Sequence, residues 1–474
     1  MISTTSPFVR RAYLLLLLMG VFAVIYNLYL PAHPDEAYYW EWSRHLALSY
    51  YDGPPLMAYL IRVVTAIFGI SASSIKLTAV LCMTVGLYFI FLLTRELFDE
   101  KTAFCALVLL MFLPIIQAGY VISSLDPGMF CFWSLTLYWF YLAVSRDNNF
   151  YRYLAGFALG LTTLTKYPGL LLGISLFLFM LLTPYRKQLK NINWYLAAIL
   201  SILVFSPVLI WNWQHDWISF SFQYHHGVAQ HKVFNLDSMI NYLSAQIGIA
   251  NPIFLISAIY FSLRYLKLIF SQPKILYVAI PFWLVFLFFF YNSLFKHANQ
   301  DWAAPAYISA AVFMAYFVQQ YQRKILLYAI VILSLVLMIF IRFPITTPFL
   351  PKDAIILKQF LGYQELIQQA IPYYKKTEIV VSNDRHSAAE LALYLPGHPN
   401  IYILSNTKHQ YAYWSKPIKK AIITGKIKSV LYIGSPSNVN DLKHYFRYQR
   451  LLQHLNYNGR WNTRHWVVVD AWNN

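Results

Sequence analysis

Long apolar runs alternate with short polar segments along most of the chain. A run of about 18 or more apolar residues has the length that an α-helix needs to cross a bilayer. The pattern therefore predicts a polytopic α-helical membrane protein with about 11 to 13 spanning helices. The eleven spans that the runs define are residues 12–30, 75–94, 102–122, 128–145, 153–166, 168–183, 194–212, 243–263, 276–295, 302–320 and 325–343.

The pattern changes after residue 344, where the apolar runs shorten to strand length. The stretches "EIVVSND", "NIYILS", "SVLYIGS" and "HWVVVDAW" are typical of strands, and "HSAAELALYL" is typical of a helix. We therefore expect a membrane domain over residues 1–344, whose first outer loop is 31–74, and a small α/β domain over residues 345–474.

Composition supports a membrane protein. The chain has 474 residues, of which 59% are hydrophobic and 12% are charged, whereas a soluble globular chain has about 25% charged residues. The net charge of +18 is explained by basic cytoplasmic loops and by attraction to anionic lipid. No nucleic-acid motif is present, so we expect membrane lipids as partners and no nucleic acid. The cysteines, Cys82, Cys105 and Cys131, lie inside apolar runs. We expect them to pack as small apolar residues.

The distribution of basic residues predicts the topology. Fourteen Lys and Arg residues fall in one set of alternate loops and six in the other, before the tail. Because basic loops stay in the cytoplasm, the first set is cytoplasmic, and the first outer loop and the tail face outward. Arg10 and Arg11 precede an apolar run to Leu30 without a cleavage-site pattern, so this run is predicted to be an uncleaved first helix.

The tail is strongly basic, with 16 Lys and Arg against 7 Asp and Glu. Two interpretations stay open for it: a domain that lies against anionic headgroups, or a simple soluble cap.

Two adjacent acids, Asp35 and Glu36, follow the first apolar run in "PAHPDEAYYW". Proline followed by acids is a common helix start, because carboxylates interact with the positive end of the helix dipole. Acids so near the bilayer are also costly unless they are paired or used. Both interpretations can hold together, since a helix start can present an ionised acid to a substrate.

Further polar residues lie in other outward segments. Asp126 in "SSLDPGMF" is either a turn residue or a second acid that shares a substrate or a cation. Lys166 in "TKYPGLLL" is either a snorkelling lysine or a point charge for a phosphate. Lys296 has the same alternatives, and it is accompanied by Asn299 and Asp301.

Three histidines, His225, His226 and His231, lie in "FQYHHGVAQHK". They can bind a metal ion or be solvated loop residues, and their spacing matches no defined site. Few charged residues occur in the middle of the spans, whereas a transport route needs them through the bilayer depth. The pattern therefore favours chemistry at the outer interface over transport.

The stretch "HPDEAYYWEWSRHLALSYYDGPPLMAYLI" resembles the first outer loop of the C-type, polyprenyl-phosphate-dependent membrane glycosyltransferases. This family includes protein O-mannosyltransferases, lipid A amino-arabinose transferases and lipopolysaccharide-core galacturonosyltransferases. The resemblance covers roughly residues 10–345. The other blocks that match in order are "SSLDPGMFCFWSLTLYWF", "LTKYPGLLLGISLFLFM", "HDWISFSFQYHHG" and "NQDWAAPAYISAAVFM".

The resemblance implies an inverting transfer of a sugar from an undecaprenyl-type phosphate donor to lipid A or lipopolysaccharide core, on the periplasmic face of a bacterial inner membrane. It implies Asp35 as the base or acceptor-orienting carboxylate. It does not require a cofactor, and a divalent cation stays open. The full set of implied residues is Asp35, Glu36 and Asp126 for catalysis, Lys166 and Lys296 for the donor phosphate, and Tyr51, Asp52, His226 and Asn299 for substrate binding.

One departure from the family concerns the loop. The amino-arabinose enzymes have Glu-Lys before the paired prolines, whereas this chain has Asp52-Gly53 before Pro54 and Pro55. The phosphate-contacting lysine is thus absent, which favours a core or lipid A sugar transferase, with Lys166 or Lys296 as the replacement cation. The alternatives are a protein O-mannosyltransferase and, in another class, a transporter or flippase of lipid-linked sugar.

Overall fold

A computed structural model describes residues 6–227, 233–296, 299–343 and 356–473. Internal contacts divide the chain into two compact units. The helical unit comprises Met1–Tyr26, Gly53–Met57 and Leu77–Phe340, and the mixed unit comprises Asn27–Asp52, Ala58–Lys76 and Ile341–Asn474. The first outer loop, which we predicted as part of the membrane domain, thus belongs mostly to the same unit as the tail.

The elements follow one another in this order. The α-helices are α1 (Pro7–Asn27), α2 (Pro34–Arg44), α3 (Leu56–Phe68), α4 (Ala72–Leu97), α5 (Glu100–Met111), α6 (Pro114–Gly119), α7 (Leu125–Ser145), α8 (Asn149–Thr165), α9 (Gly169–Leu182), α10 (Ile192–Gln214), α11 (Ile218–Gly227), α12 (Leu236–Ala250), α13 (Pro252–Arg264), α14 (Leu266–Ser271), α15 (Pro273–Ser293), α16 (Ala304–Gln320), α17 (Lys324–Arg342), α18 (Tyr363–Ala370), α19 (Arg385–Tyr394), α20 (Tyr411–Trp414) and α21 (Lys416–Ile423). Short 3₁₀ helices are Pro184–Lys190, Gln300–Ala303, Ile356–Gln359, Ile371–Tyr373 and Pro436–His444. The strands are β1 (Val380–Ser382), β2 (Ile401–Ile403), β3 (Ser429–Gly434), β4 (Tyr448–Asn458) and β5 (Thr463–Trp472).

The polytopic helical class is confirmed. Among the described residues, six helices are long and apolar enough to cross a membrane, or up to eight if each of two bent helix pairs counts as one span. Each predicted span overlaps a described helix, but several of these helices are shorter or broken. The helices α2 and α3 inside the first outer loop are elements that the apolar runs did not predict.

Two predicted spans are interrupted by identifiable residues. Span 102–122 divides into α5 and α6 at Pro114, which cannot donate a backbone hydrogen bond. Span 243–263 divides at Asn251, whose φ is 68°, and α12 and α13 bend there by 104°. The Asn251 side chain accepts from Ile253 N (3.0 Å) and donates to Ile330 O (2.9 Å), so the buried break has polar partners.

Small residues let α8 approach α10 closely. A Cβ added at Gly156 would overlap the carbonyl oxygen of Ala197, and one added at Gly160 would lie 2.8 Å from Ser201 O. Close backbone approach through small residues is a common way to pack helices in membranes, where burial of apolar surface provides little driving force. The two glycines therefore determine how α8 meets α10.

The mixed unit contains a five-stranded sheet of order β2-β1-β3-β5-β4. Strand β1 is parallel to β2 and β3, and β5 is antiparallel to β3 and β4. The α/β pattern predicted for the tail is present. After β1, Asp384 caps α19 by accepting from His386 N (2.9 Å) and Ser387 N (3.0 Å). Helix α19 packs against α2, which is why the first outer loop groups with the tail.

We predict that Gly156→Ala destabilises the protein by about 1–3 kcal/mol, because the new methyl group must displace backbone atoms. Thermal unfolding in detergent measures the effect. Gly248→Ala is the matched control, since a Cβ at Gly248 meets nothing within 4 Å. Equal unfolding midpoints for Gly156→Ala and the unmodified protein would contradict the close helix contact.

Candidate functional site

Helix α2 begins as the sequence indicated, at Pro34. The His33 imidazole accepts a hydrogen bond from Asp35 N (3.2 Å), and the Glu36 carboxylate accepts one from His33 N (2.7 Å). This reciprocal capping box satisfies backbone donors at the start of the helix. It also orients the two adjacent acids differently, so that Glu36 faces the protein interior.

Glu36 is fully buried and forms an ion pair with the fully buried Lys76. The Lys76 ammonium also lies over the ring of Phe360, 4.7 Å from its centroid. Breaking a buried ion pair leaves an uncompensated charge and is strongly destabilising. These contacts account for Glu36 as a structural residue, and we retain the catalytic proposal for its neighbour Asp35.

A third buried ionisable group, Glu390, belongs to the same region of the mixed unit. Glu390 is fully buried, and its two carboxyl oxygens have no hydrogen-bond partner among the described residues. Burial, followed by the nearby charge of Glu36, raises the pKa of Glu390 well above its usual range, although Lys76 opposes this effect. Its surroundings therefore favour the neutral form of the Glu390 carboxyl group.

Asp35 lies in a different environment, in which its side chain retains 36% exposure. Its Oδ1 lies 3.0 Å from His386 Nε2 and 3.9 Å from Arg385 Nη2, and its Oδ2 lies 3.7 Å from His33 Nδ1. Burial favours the neutral acid, but the hydrogen bond with His386 and the positive charge of Arg385 lower the pKa of Asp35 below its usual range. The accessible carboxylate is thus ionised at neutral pH.

Asp52 joins the same cluster through Arg385. Its carboxylate accepts hydrogen bonds from Tyr38 Oη (3.0 Å), Arg385 Nη1 (3.2 Å) and Gln410 N (3.1 Å). Burial raises the pKa of Asp52 to about 6, although these donors oppose the shift. The Arg385 guanidinium also lies over the Tyr38 ring, 5.3 Å from its centroid. Asp52 therefore fixes Arg385 beside Asp35.

Tyr51 lies next to Asp52, where its backbone N–H donates to Gln410 Oε1 (2.8 Å) and its ring lies 6.2 Å from that of Tyr413. The substrate-binding roles predicted for Tyr51 and Asp52 stay predictions. Arg385 and His386 were not among the residues predicted from the sequence. The only local signal is "SNDRHS", a strand end followed by a helix cap, and such an edge is a common place for functional side chains.

The helical unit contains a second charged cluster. Lys166, at the end of α8, donates from Nζ to Asp126 Oδ1 (2.7 Å) and to Asp301 Oδ2 (3.0 Å). Asp126 lies in the first turn of α7, where Ser124 Oγ accepts from its backbone N–H (3.3 Å). Two carboxylates and one ammonium leave one negative charge in excess when both acids are ionised. A phosphate that binds Lys166 must therefore compete with two carboxylates.

Two other predicted residues of the helical unit, Lys296 and Asn299, form contacts with or through backbone groups. The Lys296 ammonium donates to the carbonyl oxygen of His225, and the Asn299 carbonyl accepts from Trp302 N (3.3 Å). His231 and the side chain of His226 lie outside the described residues. In the part of the chain that the structure describes, no group of three His, Cys, Asp or Glu residues could hold a metal ion.

Comparison with known proteins supports the sequence resemblance. The profile of the family described as "Dolichyl-phosphate-mannose-protein mannosyltransferase" matches residues 52–211. The chain is 25% identical to lipid A galacturonosyltransferase RgtD of Rhizobium johnstonii over 75% of this chain and 76% of that protein. It is 30% identical to undecaprenyl phosphate-alpha-4-amino-4-deoxy-L-arabinose arabinosyl transferase 2 of Pseudomonas fluorescens, over 44% of this chain and 43% of that protein.

Solved structures share the fold. ArnT from Cupriavidus metallidurans, crystallised with undecaprenyl phosphate, matches with a TM-score of 0.69 at 14% identity, over 98% of both chains. The oligosaccharyltransferase of Archaeoglobus fulgidus matches with a TM-score of 0.52 at 14% identity, over 89% of this chain and 69% of that chain. Since the first match covers nearly all of both chains, it includes the segments of both units.

We predict that Glu390→Gln makes stability less dependent on pH. A carboxyl group whose pKa rises on folding favours the folded state at low pH, and this contribution is lost as pH rises through the folded-state pKa. The unmodified protein should therefore lose more stability than Glu390→Gln between about pH 5 and about pH 9, measured as unfolding midpoints. Glu378→Gln, at a partly exposed position, is the control. Parallel curves for Glu390→Gln and the unmodified protein would show that Glu390 does not titrate as inferred.

Proposed function

We propose that this chain, which belongs to the C-type membrane glycosyltransferases, transfers a sugar from an undecaprenyl-phosphate-type donor to lipid A or lipopolysaccharide core. The observation that carries the proposal is the match over three quarters of both chains to a lipid A galacturonosyltransferase. Similarity to enzymes named for an undecaprenyl phosphate sugar supports the donor class. Galacturonic acid is the first sugar to test. Amino-arabinose is the second, because the match to the amino-arabinose transferase covers less of this chain.

We place the reaction on the periplasmic face of the inner membrane. The support is the charge distribution, with fourteen Lys and Arg residues in one set of loops and six in the other, because basic loops remain cytoplasmic. In this arrangement the first outer loop and residues 345–474, proposed as the periplasmic domain, are on the side where lipid A is exposed to modification.

The proposed step is a direct displacement at the anomeric carbon. The acceptor oxygen forms a bond to that carbon, and the bond from the carbon to the phosphate oxygen breaks. The electron pair leaves with the polyprenyl phosphate, which needs cations rather than a proton. A hydroxyl acceptor loses its proton to Asp35, whereas a phosphate acceptor is already ionised and requires orientation only. One displacement inverts the configuration of the sugar.

Asp35 is suited to the role of base or orienting group. Its side chain is partly exposed, and the groups around it lower its pKa, so that it is ionised before the acceptor arrives. A general base must be in its unprotonated form and within hydrogen-bond reach of the proton that it removes. Glu36 and Asp52 are less able to reach an acceptor proton, because protein groups already form hydrogen bonds or ion pairs with both carboxylates.

Lys166 is the proposed contact for the donor phosphate, and Lys296 is the alternative. Lys166 is largely buried, with 15% of its side chain exposed, and it bonds to two carboxylates. Its predicted role requires that the singly charged phosphodiester of the donor replace one of those carboxylates as the acceptor from the ammonium, in a charge-assisted hydrogen bond of the same kind. His226 and Asn299 stay proposed substrate contacts without further support.

Mass spectrometry of lipid A and core, from cells with and without the gene, tests the function. We expect a mass difference of one sugar residue, and the mass identifies the sugar class. Identical lipopolysaccharide together with altered glycosylation of proteins would favour a protein O-mannosyltransferase. Movement of the lipid-linked sugar across vesicles without any transfer would favour a flippase.

We predict that Asp35→Asn reduces transfer by about 10²- to 10⁴-fold, the range that a general base contributes. Transfer by purified protein in proteoliposomes measures the loss, and membrane insertion and unfolding temperature should not change. Asp441→Asn, a loss of one carboxylate elsewhere in the mixed unit, is the matched control and should retain activity. Full activity of Asp35→Asn would remove Asp35 from the mechanism.

We predict that Lys166→Ala raises the KM for the lipid donor by about 10- to 100-fold, as expected when one charged hydrogen bond is lost. The KM for the acceptor should change much less. Lys166→Arg keeps the charge between Asp126 and Asp301 and should recover part of the donor affinity, and Lys324→Ala is the control for an exposed lysine. An equal loss for donor and acceptor would contradict a phosphate contact.

A further inference from the structure

The two oxygens of the Asp35 carboxylate have different surroundings. Oδ1 lies 3.0 Å from Nε2 of His386, which belongs to the first turn of α19. Oδ2 lies 3.7 Å from His33 Nδ1, and no hydrogen bond reaches it from the described residues. One oxygen is thus held by the protein, and the other is available to a ligand.

His33 does not act as a second donor to Asp35. Its Nδ1 accepts from Asp35 N (3.2 Å), and its Nε2 lies 2.8 Å from Gln359 Oε1. A neutral imidazole with its proton on Nε2 satisfies both contacts. In that tautomer, Nδ1 has a lone pair and donates nothing to Oδ2.

Arg385 restricts the proton on His386. Arg385 Nε lies 3.1 Å from His386 Nε2, and a guanidinium can only donate. Nε2 therefore either accepts from Arg385 or donates to Asp35, but one nitrogen cannot do both at once. While Asp35 is ionised, donation to Oδ1 is favoured, because an unprotonated Nε2 would place its lone pair 3.0 Å from a negatively charged oxygen.

We propose that His386 is a positioning residue for the reaction: its Nε2–H holds Oδ1 of Asp35 and leaves Oδ2 directed to the acceptor. This inference rests on the proposed function of Asp35. In the step itself, the acceptor proton passes to Oδ2 while His386 keeps its own proton on Nε2. Arg385, anchored by Asp52 at 3.2 Å, keeps the imidazole and the carboxylate side by side.

The charged groups around this pair come from several elements. Arg385 and Asp384 belong to α19 and its cap, His33 precedes α2, and Asp52 contacts Arg385. His409 also faces His386, and burial lowers the pKa of His409 to about 4, so it is neutral at neutral pH. The hydrogen bond with His386 lowers the pKa of Asp35. Loss of the imidazole should therefore raise that pKa.

The test compares His386→Ala and His386→Gln in proteoliposomes with a polyprenyl-phosphate sugar donor and a lipid A acceptor. For His386→Ala we expect kcat to fall by about 10- to 100-fold, as for a misplaced catalytic group, with the donor KM within about twofold. The acid limb of the pH–rate profile should move upward by about one pH unit. The amide of His386→Gln can donate to Oδ1 and should restore part of the rate.

A second readout does not depend on activity. The infrared carboxyl band of Asp35, isolated as the difference between the protein and its Asp35→Asn variant, gives the titration of Asp35 directly. We expect the band to titrate at higher pH in His386→Ala than in the unmodified protein. His454→Ala, at an exposed strand position, is the matched control and should change neither readout.

The outcomes separate the two claims. An unmodified protein that transfers no sugar overturns the proposed function, and the infrared titration then decides the role of His386. An active protein whose His386→Ala variant keeps its acid limb and its Asp35 titration overturns the positioning role alone. If His386→Ala does not fold, His386→Gln provides the test. The inference then requires that Asp35 titrate at the same pH in His386→Gln as in the unmodified protein.

Discussion

The candidate site depends on the contact between the first turns of α2 and α19 in the mixed unit. Asp35 begins the first helix, and Arg385 and His386 begin the second, so that two positive helix ends and two basic side chains surround one carboxylate. Each helix dipole and each nearby cation favours the ionised acid. An accessible acid that remains charged near a bilayer needs such compensation, and these residues supply it.

A buried ion pair anchors α2 beside that contact. Glu36, one residue after Asp35, pairs with Lys76 in the interior, and Glu390 lies on the same helix as His386. Neighbouring residues of a helix point in directions about 100° apart, so one acid can anchor α2 while the next stays accessible. The arrangement divides a pair of adjacent acids into a structural residue and a candidate catalytic residue.

Much of this architecture can be predicted from the sequence, because it depends on local patterns. Apolar runs indicated the helices, the Pro-Asp-Glu motif indicated the start of α2, and strand-length runs indicated the sheet of the tail. The breaks at Pro114 and Asn251 were missed, since the apolar runs continue through them and only backbone geometry reveals them.

The candidate site was harder to predict. His386 is 351 residues from Asp35 in the chain, and no periodicity connects residues so far apart. Glu36 and Asp35 also look equivalent in the sequence, since only packing decides which side chain is buried. For Lys166, the sequence indicated a cation but not the two carboxylates that bind it.

The most direct measurement is an experimental structure with a bound lipid A acceptor. We expect Asp35 Oδ1 to lie about 3 Å from His386 Nε2 and Oδ2 to lie at a similar distance from the reacting oxygen of the acceptor. An acceptor bound elsewhere, with Oδ2 contacting only protein groups, would contradict this expectation.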